Sequence, residues 1–410
     1  MKMLVLEPHV SGHHGPYLRW MAAGLTERGF NVIIVTLPES LEHPSLRALV
    51  DGAAGIRIIP FPGSLTSLQT RLRTLGSVAQ EFAYWRLFRR WYKAHLDTVR
   101  PDVVFLPFLD YSLYATGLLG SPFGNCPWVG LAMLPSFHYQ EMGVIAPRPA
   151  LATIKKSLFF RLLNDPHLRC LLTIDEPLMA YLGAKPGGPG KIAFLPQPAE
   201  FGVLPDTVEA KQWLGLPAGR KLILVYGGIT QRKGIVELLR ALSHPDFPSS
   251  VDVLLAGSIA SDIHHLLDES WVQSLSTQGR LIQIDRFIMT EEEPLLFAAA
   301  DIVWLGYRRH YTESGALTLS ACAGRPVLAC EEGIIGWQTR RHGLGEVVNP
   351  KNPAAICKAV AVLLKRGPLQ PSGATTQYPS RNTFSNACDT LATAMIEGVG
   401  GNVVGAPNEI

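Results

Sequence analysis

The stretch that decides the fold is "KLILVYGGITQRKGIVELLRALSHPDFPSSVDVLLAG", Lys221 to Gly257. It opens with an apolar run, turns on two glycines, and continues with apolar residues at helical spacing. It closes on a second apolar run. That order predicts a strand, a tight turn, an amphipathic helix and a second strand parallel to the first, which is a βαβ unit. The N-terminal stretch "MLVLEPHVSGHHGPYLRWMAAGLTERGFNVIIVT" follows the same grammar. Two such starts about 220 residues apart predict two doubly wound α/β domains.

Further strand-like runs fit this frame. Ile56 to Phe61, Val103 to Leu106, Trp128 to Leu134 and Leu171 to Ile174 follow the first unit. Leu281 to Ile284, Ile302 to Leu305 and Val327 to Ala329 follow the second. Uninterrupted apolar strands belong to parallel sheets covered on both faces. Gly183 to Pro205 is dense in proline and glycine and reads as the linker. Asn382 to Glu397 reads as a late helix with apolar Phe384, Leu391 and Met395.

Composition bounds the function. A chain of 410 residues that is 47% hydrophobic and 17% charged can bury two cores. A net charge of +3 is too small and too dispersed to argue for nucleic acid. The six cysteines include no C-x-x-C pair, which fits a reducing cytoplasm rather than a disulfide or zinc framework. The apolar N-terminal run ends at Glu7 and Pro8, too early for a signal peptide. Tyr111 to Gln140 carries no charge, but its prolines and glycines argue against a membrane-spanning helix.

In open parallel sheets ligands bind beyond the carboxyl ends of the strands, so the turns there are the candidates. In "PHVSGHHGPY", Gly12 and Gly15 permit close backbone approach, and Pro16 suits the first helical position. His9, His13 and His14 lack a second ligand cluster, so no metal is expected. In "GGITQRKG", Gly227 and Gly228 precede Arg232 and Lys233 at a helix start, which suits a diphosphate or, equally, a solvated helix end. In "YTESGALTLSACAGRPV", Glu313 sits ahead of a short apolar helix whose N-terminus falls at Ser314, Gly315 and Ala316. There a carboxylate either accepts bonds from sugar hydroxyls or simply favours the helix end. His138, beyond the strand at Trp128, is a candidate donor to a hydroxyl or phosphate, and a structural histidine by the competing reading.

Two segments pair aromatic with basic residues. "EFAYWRLFRRWYKAHL" places Tyr84, Leu87, Phe88 and Trp91 on one face and Arg86, Arg89, Arg90 and Lys93 largely elsewhere. "TIKKSLFFRLL" repeats the idea with Lys155, Lys156 and Arg161. Peripheral membrane contact and an ordinary core helix with a solvated basic face are the two readings.

Five motifs in order, "GGITQRKGIVELLRAL", "VDVLLAGSI", "LIQIDRFIMTEEEPLLFAAADIVWLGYR", "YTESGALTLSACAGRPVLA" and "GLGEVVNPKNPAAICKAV", resemble the C-terminal domain of glycosyltransferase family 4, of the GT-B type. The glycine-containing N-terminal stretch is similar to that family's first strand, loop and helix. The resemblance implies two Rossmann-like domains facing across a cleft. Residues 1–195 would form the acceptor side, 206–380 the nucleotide-sugar side, and 381–397 a helix crossing back.

It further implies transfer of a sugar from a UDP- or GDP-linked donor with retention of configuration, with no metal and no cofactor beyond the nucleotide sugar. The acceptor would be a glycan, a lipid-linked sugar or a small molecule. On that pattern Arg232 and Lys233 neutralise the leaving diphosphate, and Glu313 matches the first acid of an E-x7-E pair near the donor sugar. The backbone at Arg286 and Phe287 falls where the base is recognised. Gly12, Gly15 and His138 would position donor sugar or acceptor. The second acid is absent, with Ser320 and Ala321 in its place. Two alternatives stay open, a nucleotide-sugar 2-epimerase on the same scaffold and, because of that gap, a catalytically degenerate partner subunit.

Overall fold

A computed structural model describes residues 1–10, 14–44, 46–47, 49, 55–61, 76–185, 188 and 190–397. The chain divides into two compact units. The first comprises Met1–His138, Arg148–Pro196 and Ser385–Ile410; the second comprises Tyr139–Pro147 and Gln197–Phe384.

Among the described residues, the first unit is built on seven strands: β1 (Lys2–Leu6), β2 (Asn31–Thr36), β3 (Ile56–Pro60), β4 (Val103–Leu106), β5 (Trp128–Ala132), β6 (Leu168–Thr173) and β7 (Ile192–Phe194). They lie in the order β3-β2-β1-β4-β5-β6-β7, every neighbouring pair parallel. The second unit has six: β8 (Lys221–Tyr226), β9 (Val251–Ala256), β10 (Leu281–Ile284), β11 (Ile302–Leu305), β12 (Val327–Cys330) and β13 (Gly345–Val348), in the order β10-β9-β8-β11-β12-β13 and again all parallel.

The reason for parallel sheets lies in the strand sequences. β4, β5, β9, β11 and β12 are buried at every position, so both faces need cover, and helical crossovers supply it. Both sheets reverse direction of growth once, at β1/β4 in the first unit and at β8/β11 in the second. These are topological switch points, where the loops leaving two adjacent strands part and open a crevice.

The sequence reading needs two corrections here. Gly183 to Pro205 is not only linker, because Ile192–Phe194 forms β7 against β6. Pro16 is not the first helical residue, since the helix runs His14–Glu27.

Burial sorts the residues of the basic aromatic helices. In Ser77–Val99, Tyr84, Trp85, Phe88, Trp91 and Tyr92 are buried while Arg86, Arg89, Arg90 and Lys93 are exposed. In Ala152–Leu163, Lys155 lies over the Tyr114 ring and Lys156 over the Tyr181 ring. Among the described residues no helix is long and apolar enough to cross a membrane.

Candidate functional site

The second unit's switch point gathers most of the predicted donor-side residues. β8 delivers Tyr226 and Gly227, and a short turn of helix, Gln231–Lys233, follows. Gly234 then takes φ +69°, and a Cβ there would stand 2.2 Å from the Gly306 carbonyl oxygen, so the loops after β8 and β11 touch at this point.

Lys233 is 8% exposed. Its ammonium donates to the Tyr226 carbonyl and, at 3.0 Å, to the Tyr307 hydroxyl. It also lies 3.5 Å from where a side chain on Gly227 would begin, so the glycine keeps that flank clear. Burial alone would raise the Tyr307 phenol, but Lys233 and a hydrogen bond with Ser314 outweigh it and the pKa is lowered. Lys233, Tyr307 and Ser314 therefore form one polar chain from the β8 loop to the N-terminus of helix Gly315–Cys322.

A second chain runs beside it. Exposed Arg232 reaches His310 Nδ1 at 3.4 Å, and His310 Nε2 donates to the Glu313 carbonyl at 3.1 Å. Burial, then the neighbouring Arg232 and Lys233, hold His310 below its ordinary pKa despite the Glu313 bond. The imidazole is accordingly neutral at pH 7. Glu313 itself is half-buried, and its carboxylate accepts from Gln338 Nε2 at 2.9 Å. Gly315 is exposed and Ala316 is 8% exposed at the helix N-terminus, where free N–H groups favour an anion.

The base-side loop is less committed. Arg286 pairs with Glu292 at 2.5 and 2.7 Å and donates to the Phe287 carbonyl at 3.2 Å, while the Phe287 ring is 74% exposed. Gly228 is exposed, with open space where a Cβ would stand.

Other sequence candidates lie elsewhere. His138 belongs to the first unit and is fully buried, its Nε2 3.1 Å from Asp175 Oδ1, with Phe137 and Tyr181 around the ring. Asp175 also caps helix Glu176–Gly183 by accepting from Leu178, so His138 is tied to a helix end. Gly15 lies in the first turn of His14–Glu27, and its N–H is already given to the Val10 carbonyl. Gly12 and His13 lie outside the described residues.

Sequence reading missed Tyr226, Glu293, Tyr307, His310 and Gln338. Tyr226 donates its hydroxyl to Glu293, whose pKa burial raises. The signal for Tyr307 and His310 was present in "GYRRHYTES", an aromatic and basic loop directly after a buried strand.

No protein-family model matches the sequence, and no curated protein matches it either. Solved structures do match over almost the whole chain. Sucrose-phosphate synthase from Thermosynechococcus elongatus aligns at 17% identity, covering 97% of this chain and 95% of that one, with a TM-score of 0.64. HepE from Anabaena, solved in complex with UDP, aligns at 15% identity over 97% and 96% with a TM-score of 0.60. WaaG, a glycosyltransferase involved in lipopolysaccharide biosynthesis, aligns at 15% identity over 97% and 100% with a TM-score of 0.58.

The chain adopts the GT-B fold. Within the second unit, the β8/β11 switch point brings Arg232 and Lys233 near the N-terminus of helix Gly315–Cys322.

Proposed function

We propose that this GT-B chain is a retaining glycosyltransferase resembling family 4, moving a sugar from a nucleoside-diphosphate donor to an acceptor hydroxyl. The observation that carries the reading is the Lys233 ammonium, fixed by Tyr226 and Tyr307 beside the bare flank of Gly227, with Arg232 adjacent and a helix N-terminus opposite. As the bond from the anomeric carbon to the phosphate oxygen breaks, negative charge grows on the departing diphosphate. Cations and N–H groups already in place stabilise it without reorganising. The acceptor oxygen bonds to the anomeric carbon, and its proton leaves with the phosphate. Glu313, aimed by Gln338, accepts from the donor sugar's hydroxyls. That HepE was solved with UDP and with UDP-glucose supports a uridine donor here.

Thermal-shift titration with UDP, GDP, ADP and TDP identifies the nucleotide, and donor turnover tests the roles. Lys233→Ala and Arg232→Ala are each expected to lower turnover about a hundredfold. Wild-type rates in both would sink the assignment.

One observation favours a second reading, a nucleotide-binding subunit without turnover. Ser320 and Ala321, where the second acid is expected, are 0% and 6% exposed and carry no charge to a ribose. A clear nucleotide shift with no donor consumption across a broad acceptor panel would select it.

A further inference from the structure

The second unit holds a pocket of about 340 Å³ that the β8/β11 crevice does not use. Helix Ile235–Leu242 lines it with Glu237 and Arg240, and the loop after β11 adds Arg308. Pro350, Lys351 and Pro353, where β13 leads into helix Pro353–Arg366, complete the wall.

Alternation along the strands separates this pocket from the helix at the crevice. Val225 and Trp304 share a core with Leu238 of helix Ile235–Leu242 and Val360 of helix Pro353–Arg366. Their neighbours Leu224 and Val303 point the other way and share a core with Leu317 of helix Gly315–Cys322. The pocket therefore opens between two helices on the sheet face opposite the helix whose N-terminus lies near Lys233.

The charges lining it are unequal. Glu237 is the one acid, and the Arg308 guanidinium donates to it at 2.8 Å, which matches its charge and holds Arg308 along the wall. Arg240 and Lys351 are exposed, and neither side chain has an ion-pair or hydrogen-bond partner among the described residues. Two cations at one concavity repel each other, and a dianion between them turns that repulsion into attraction. A phosphate monoester carries close to two negative charges at pH 7, and its oxygens suit the planar fork of an arginine.

The rest of the wall is of a different kind. Pro350 is buried and Pro353 half-buried, and neither has a backbone N–H, so this side offers apolar surface to a carbon body. At about 30 Å³ per water the pocket has room for roughly ten, enough for a phosphate group with a short chain attached. One peptide joins the pocket to the loop after β8, since the Arg308 N–H donates to the Arg232 carbonyl at 2.7 Å.

We propose that this pocket is an anion site apart from the β8/β11 crevice, taking a small phosphate monoester whose oxygens meet Arg240, Lys351 and Arg308 and whose carbon body lies against Pro350 and Pro353. The site requires no turnover and does not rest on the glycosyltransferase reading.

Titration calorimetry on the full chain at fixed ionic strength tests it, with glycerol 3-phosphate as the probe and glycerol as its neutral counterpart. Glycerol 3-phosphate is expected to bind and glycerol is not. Arg240→Gln and Lys351→Gln should each weaken the binding about tenfold by removing one charged donor. Both side chains are exposed and unpartnered, so these variants are expected to melt at the wild-type temperature. Arg232→Ala, which removes a crevice cation and keeps the backbone bond to Arg308, should bind glycerol 3-phosphate as the wild type does. No binding by the wild type, equal binding of glycerol, or wild-type affinity in both Arg240→Gln and Lys351→Gln overturns the proposal. So does loss of binding in Arg232→Ala alone, which would put the phosphate in the crevice.

Discussion

At the residue scale, Gly234 shows how the β8/β11 crevice depends on one missing side chain. Its left-handed φ of +69° and the 2.2 Å approach to the Gly306 oxygen act together, and no L-residue with a Cβ satisfies both. Gly234→Ala is expected to cost about 2 kcal/mol or more, read as a lowered urea midpoint, and to abolish the nucleotide-induced shift by displacing Lys233. An unchanged midpoint would contradict the close approach. Arg232 and Lys233 stand out in the sequence as a basic pair after two glycines. Their fixing partners do not. Tyr307 lies 74 residues from Lys233, and Gln338 lies 25 from Glu313, and local pattern carries no information about such pairings. His138 shows the same blindness from the other side: a histidine after a strand looks available until Asp175, 37 residues on, is seen holding it inside the core.

At the element scale, strands were legible where they carry an apolar run, even one of four residues, and lost where they do not. β7 has three residues inside a glycine- and proline-rich stretch, and β13 is only partly buried, so neither carries a strong apolar run. Loop ionisation was not legible at all, because it is set by burial. His9, just after β1, is held at about 4 first by burial and then by repulsion from His14. The unfolded chain takes up a proton on His9 near pH 6.5, whereas the folded chain resists until about pH 4. Between those values the unfolded state binds more protons, so the stability tied to this group is present above pH 6.5 and is lost as pH falls toward 4. Asp110, pushed up to about 6 by burial, works in the opposite direction, its contribution falling as pH rises from about 4 to about 6. A difference measurement separates them. His9→Gln removes only the histidine's part, so the melting temperature of the variant relative to wild type should climb steadily from pH 6.5 to pH 4. A constant offset across that range would show that His9 is not held neutral.

At the scale of the whole molecule, the order of the chain and the membership of the two units differ. Residues 139–147 belong with the second unit, where the Ile145 carbonyl accepts from Gly333 and the Met142 carbonyl from Trp337. The last helix, Phe384–Ile396, packs from Ser385 onward into the core of the first unit. Sequence showed that this helix has an apolar face but not which core receives it, and one of its three marker residues, Phe384, is 43% exposed. Packing explains the rest. Leu391 and Met395 are fully buried among residues of β1, β2 and β4. Arg28 pairs with Asp389 at 2.7 Å, and Gly24 has no side chain because a Cβ there would fall 2.1 Å from Cys388 Sγ. The helix is thus a structural part of the unit that begins at Met1. Leu391→Ala should therefore cost the first unit about 3 kcal/mol, a large share of a domain's total stability. The β8/β11 crevice, built from residues 226–338, should not register it. Followed by denaturant titration with and without UDP, the variant is expected to unfold its first unit earlier while the nucleotide-stabilised transition keeps its midpoint. If the nucleotide-stabilised transition moves by the same amount, the two units unfold as one cooperative body and the separation of their cores carries no thermodynamic weight.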